Sequence, residues 1–197
     1  MGNNRNGLTR DDVAKAAERC FKLYGVHRTS MTDVADALGV ARQTLYRVFD
    51  SRTLLLEFIS IKRITRLSQK LKVEFKKFGS LEEALIEGSL ISLESRHNDP
   101  LLEEIFAHSD DHGFEQFVFQ GSPEIVAQML DIWSPFIERA RESGQLRPGI
   151  SNERAVEWIR NIHAVVTLRN DYSLEQQRSL FSDFLVPSLI MDDGRAS

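Results

Sequence analysis

Apolar residues recur at intervals of three and four along almost the whole chain, while the alternation that marks a strand is nearly absent. A chain patterned this way hides its apolar stripes by packing helix on helix, so the fold class is all-α. Thr9 is placed to cap a first helix, with Asp11 and Asp12 where the helix dipole favours acid. Val13, Ala17, Phe21 and Tyr24 form its apolar face, and Gly25 stops it. A second helix opens at Ser30 with Asp33 three residues on, carries Met31, Val34, Ala35 and Leu38, and ends at Gly39. A short third runs from about Ala41 to Phe49, and Asp50 or Ser51 caps a fourth bearing Leu54, Leu55, Phe58 and Ile61.

Longer pieces follow. Ser80 caps a helix that ends near Asp99 and Pro100, and a short helix continues as far as His108. Ser109 to Gly121 is less periodic and reads as loop with one aromatic turn. Ser122-Pro123-Glu124 starts a helix that stops at Glu142 before Gly144. Another follows Ser151 to about Asn170, and Ser173 caps a last one that runs to Ile190.

Charge divides the chain unevenly. Residues 1–70 hold 13 Lys and Arg against 7 Asp and Glu, whereas the remainder holds 12 against 22. A basic head on an acidic body suits a polyanion-binding head and a regulatory half. No apolar run approaches the roughly 20 residues a membrane span needs. The polar start lacks a secretory signal, and the lone Cys20 forms no internal disulfide, so a cytoplasmic protein is expected.

The segment from Ser30 to Phe49 is the most informative. Two short helices meet at Gly39-Val40, where glycine permits a sharp turn. On the second, Arg42, Gln43, Tyr46 and Arg47 fall within about 140° of one another, opposite the packing residues Leu45, Val48 and Phe49. Two guanidiniums, an amide and a phenol on one face suit base edges and phosphates in a major groove. Arg52 is placed to meet a phosphate beside the amides of the next helix, and Arg5 and Arg10 to add contacts from an N-terminal arm.

The run Thr29-Ser30-Met31-Thr32-Asp33-Val34-Ala35, then Leu38-Gly39-Val40-Ala41-Arg42-Gln43-Thr44-Leu45-Tyr46-Arg47-Val48-Phe49, then Ser51-Arg52 with Leu54-Leu55, resembles the TetR-type regulators. The resemblance covers roughly residues 9–60. It implies an N-terminal helix-turn-helix DNA-binding domain at 1–53, linked through a helix at 54–72 to an effector-binding and dimerisation domain at 73–197. It also implies DNA contacts from Ser30, Arg42, Gln43, Thr44, Tyr46, Arg47 and Arg52, with double-stranded DNA bearing a pseudo-palindromic operator as partner. Departures are Ala41 where serine usually caps the recognition helix, Gln43 for a frequent glycine, and Val48 for tyrosine or histidine.

In the body, the last two long helices are the expected homodimer interface, through Trp158, Ile162, Val166, Phe181, Phe184 and Leu185. The resemblance implies the same two helices pairing as a four-helix bundle. Phe106, Phe117, Met129, Trp133 and Phe136, with Phe114 and Phe119 nearby, mark the expected pocket for a small apolar or aromatic effector. His163 reads as a satisfied core or interface histidine. No cofactor or enzyme signature emerges. Two rival readings are a metal-dependent enzyme built on His108 and His112, and a helical interaction module whose head no longer binds DNA.

Overall fold

The helix ends are closed by the side chains that the sequence places there. The computed structural model describes residues 7–107, 114, 117, 120–169 and 171–191. Helix α1 (Arg10–Tyr24) starts in a reciprocal capping box. The Thr9 hydroxyl accepts from Asp12 N, and the Asp12 carboxylate accepts from Thr9 N at 3.1 Å. Ser30 and Asp33 repeat the arrangement for α2 (Met31–Leu38). The chain leaves α2 through Gly39 at φ 66°, a left-handed conformation that glycine adopts without steric penalty.

Helix α3 (Arg42–Tyr46) is shorter than its apolar pattern suggests, and Ala41 supplies no side-chain cap. Ser51 rather than Asp50 caps α4 (Arg52–Glu74), accepting from Leu54 N. A 3-10 turn at Phe75–Lys77 follows. Helix α5 combines Leu81–Glu83, a wider π turn at Ala84–Gly88, and Ser89–His97. Then come α6 (Pro100–Ala107), α7 (Pro123–Glu142, capped by Ser122) and α8 (Asn152–Arg169). Helix α9 combines Leu174–Leu180, a π turn at Phe181–Leu185, and Val186–Leu189. An isolated antiparallel bridge joins Leu146 to Ile190. Among the described residues no helix is long and apolar enough to cross a membrane.

Two apolar cores form. The first gathers α1, α2, Leu45 and Phe49 around Leu55, Leu56 and Ile59 of α4. It also takes Ile105 of α6 and Phe114, so the body contributes to the head's core. The second begins at Leu71 and unites α5, α7, α8 and α9. Phe75 is its hub, edge-on to Phe78, Trp133 and Phe136 at 5.1–6.0 Å between ring centres. Helix α4 therefore runs through both cores and joins them.

Candidate DNA-reading helix and effector cavity

The turn at Gly39 sets α3 so that Leu45 is fully buried and Phe49, just beyond its end, is buried too. The opposite face leaves Arg42, Gln43 and Arg47 exposed, with Thr44 and Tyr46 half-buried. Arg42 Nη2 donates to the Tyr46 hydroxyl at 3.2 Å, and its guanidinium lies 5.2 Å from that ring. This one-turn pairing holds the two side chains side by side on the exposed face. Ser30 lies at the start of α2, where its hydroxyl serves the capping box and donates to Asp33 Oδ2 at 2.7 Å.

One of the expected phosphate contacts, that of Arg52, requires correction. Arg52 turns inward: Nε donates to Thr29 O at 3.2 Å and Nη2 to Val26 O at 2.6 Å. Its guanidinium satisfies carbonyls of the α1–α2 loop, so it positions the head. Arg10 stacks 4.7 Å over Phe49 and 5.2 Å from Phe58, covering the head's core. Arg5 lies outside the described residues.

In the body, α4, α5, α6, α7 and α8 surround a cavity of about 170 Å³. Phe106, Phe117, Met129 and Trp133 line it. Phe136 does not: it is buried against Phe75 and flanks a groove on the far side of α7. Helical spacing identifies apolar residues but does not say which side of a core opens into a void.

Sequence reasoning missed Arg96, Arg160 and His163 as lining residues. Burial pushes the His163 imidazole down to about 4, so it is neutral near pH 7, and its buried Nε2 has no hydrogen-bond partner. The expectation of a satisfied histidine is therefore corrected. Arg96 Nη1 donates to Glu103 at 3.0 Å, while its buried Nε also lacks a partner. These polar positions carry no signal in a periodicity argument, because each interrupts an apolar face.

Helix α6 connects cavity and head through successive residues. Glu103 holds Arg96, Glu104 accepts from Val26 N at 2.6 Å, Ile105 is buried in the head's core, and Phe106 faces the cavity. Asp99, just before α6, accepts from Arg63 of α4, which also donates to Glu18 of α1 at 2.9 Å.

The expected dimer residues divide. Trp158 and Phe184 are exposed and Ile162 is partly so. Val166, Phe181 and Leu185 are buried within the single chain and cannot meet a partner. The π turn at Phe181–Leu185 contributes to this split by changing the helical register that the sequence pattern assumes. His108 and His112 lie outside the described residues. Among the described ones no group of three His, Cys, Asp or Glu side chains could hold a metal.

A helix-turn-helix head is thus joined through a shared helix to an all-helical body with an apolar cavity. Residues 13–59 match the family described as bacterial regulatory proteins, tetR family.

An uncharacterized HTH-type transcriptional regulator of Mycobacterium tuberculosis is 31% identical over 98 residues, covering 50% of this chain and 48% of that protein. The chain thus spans about half the length of the curated relatives it matches. Similarity of fold reaches further. FadR of Thermus thermophilus, a TetR family transcriptional repressor solved with lauroyl-CoA, superposes with a TM-score of 0.71 at 19% identity, covering 95% of this chain and 98% of that one. AlkX from Dietzia, a TetR family repressor implicated in biodegradation of n-alkanes, gives 0.58 at 20% identity, covering 89% and 94%.

Proposed function

We propose that the chain is a sequence-specific DNA-binding transcriptional regulator, acting as a homodimer that represses until a small apolar effector releases it from its operator. The observation that carries this reading is the exposed trio Arg42, Gln43 and Arg47 over the buried Leu45 and Phe49. Donors on a helix anchored from behind are what major-groove reading requires. Two copies would bring two such helices to half-sites about one DNA turn apart. The apolar cavity supports the effector reading, as do the lauroyl-CoA in complex with FadR and the implication of AlkX in biodegradation of n-alkanes.

Release would pass through α6. An effector that favours one placement of Phe106 and Arg96 also biases Ile105 and Glu104, which touch the head. The test is titration of the purified protein on its own upstream DNA over a range of salt, with unrelated DNA as control. Tight, salt-sensitive binding at dimer stoichiometry is expected. Failure of every fragment in a genome-wide selection to bind more tightly than control DNA would overturn the reading.

A further inference from the structure

The effector cavity carries an unusual balance of charge for an apolar space. Among the described residues lining it, the charged ones are Arg96 and Arg160, and none is a carboxylate. Leu67, Met129 and Trp133 supply apolar wall. Arg96 is 9% exposed, its guanidinium lies 5.2 Å from the Phe106 ring, and Glu103 engages Nη1 alone at 3.0 Å. A guanidinium offers five donors in a rigid fork, and here the buried Nε–H meets no acceptor. His163, on α8, is a second polar group with a buried unpartnered atom at the same cavity, its Nε2. Native interiors leave few such atoms unmet, because each carries a desolvation penalty.

We propose that the cavity binds a small carboxylic acid with an apolar body, its carboxylate accepting from Arg96 Nε and, in the Nε2–H tautomer, from His163. This rests on the reading of the cavity as the effector site and adds the ligand's chemical class. A carboxylate forms charge-assisted bonds with a guanidinium, whereas an ammonium would face two like charges and an alcohol would forgo the charge. The neutral state of His163 fits a donor role without adding a further cation to the cavity.

The test uses three ligands of equal chain length: octanoate, 1-octanol and octylamine. Trp133 lies in the cavity wall, and the chain has two tryptophans. In full-length protein carrying Trp158→Phe, emission therefore reports on Trp133 alone. Octanoate is expected to bind at least about tenfold more tightly than the other two, the scale of one charge-assisted bond. Arg96→Met should remove that advantage and leave octanol unchanged. Should Arg96→Met fail to fold, His163→Phe should weaken octanoate several-fold and spare octanol. Equal binding of octanoate and octanol, or tighter binding of octylamine, would overturn the carboxylate and keep the cavity as a ligand site. No response to any of the three would overturn both.

Discussion

The carboxylate of Glu104 accepts a 2.6 Å hydrogen bond from the backbone N–H of Val26, 78 residues earlier in the chain. The carbonyl of the same residue accepts from Arg52 at 2.6 Å. The α1–α2 loop is thus gripped from α4 on one side and α6 on the other. Glu104→Ala leaves a buried N–H unmet, which should lower unfolding stability by about 1–3 kcal/mol in urea titration. It should also reduce the factor by which octanoate lowers operator affinity, and Glu104→Gln, which keeps an acceptor, should restore part of both. Lost stability with an undiminished octanoate effect would separate this bond from signalling.

Arg42 and Arg52 separate reading from positioning. Arg42→Ala or Arg47→Ala should weaken operator binding by about 1–3 kcal/mol if that side chain reads a base. Arg52→Ala should instead lower thermal stability and weaken all DNA alike, because it frees the carbonyls of Val26 and Thr29. Its salt dependence should be unchanged. A fall of about one in the slope of log affinity against log salt would return Arg52 to a phosphate contact.

The starts of most helices were legible because they follow from local chemistry: Thr9, Ser30, Ser51, Ser122 and Ser173 each accept from a backbone N–H near the helix start. The exposed face of α3 was legible for the same reason, since its angular spacing is fixed. What remained hidden depends on contacts distant in sequence. Nothing near Arg52 announces that its acceptors are Thr29 and Val26, and nothing near Glu104 announces Val26. The inner faces of α8 and α9 could not be divided between core and partner, because Phe181 and Phe184 differ only in which side of one helix the fold covers.

His163 should give the protein a measurable acid sensitivity. Its folded value lies near 4 and its ordinary value is 6.5, so the unfolded chain takes up a proton that the native chain refuses. Stability from this group is present above about pH 7 and is lost as pH falls toward 4, by roughly 3 kcal/mol in total. Urea midpoints between pH 7.5 and 4.5 should fall more steeply for the parent than for His163→Phe. Parallel slopes would assign the acid loss to other groups.

Gly88→Ala should destabilise, although alanine is the better helix former. A Cβ at this position would lie 2.6 Å from Phe75 Cζ. That ring cannot swing clear, because Phe78, Trp133 and Phe136 meet it edge-on. A loss of about 1–3 kcal/mol is expected from overpacking, measurable by thermal denaturation. Phe75→Leu in the same chain should recover part of the loss, and purely additive effects would mean that the two sites do not press on each other.

Phe184 and Phe181 test the proposed dimer against the monomer core. Phe184 is 66% exposed on α9, and Trp158 is 42% exposed on α8, its indole N–H donating to Ser188 of α9 at 2.9 Å. Leu174, 63% exposed, lies on the same pair of helices. Large apolar side chains left in water on adjacent helices suit a two-fold contact. Phe184→Glu should therefore yield a folded monomer by sedimentation, with operator affinity lowered because each head then binds alone. Phe181→Glu buries a charge where the parent ring is fully enclosed, and should unfold the body instead. A Phe184→Glu chain that sediments as a dimer would move the interface to another face.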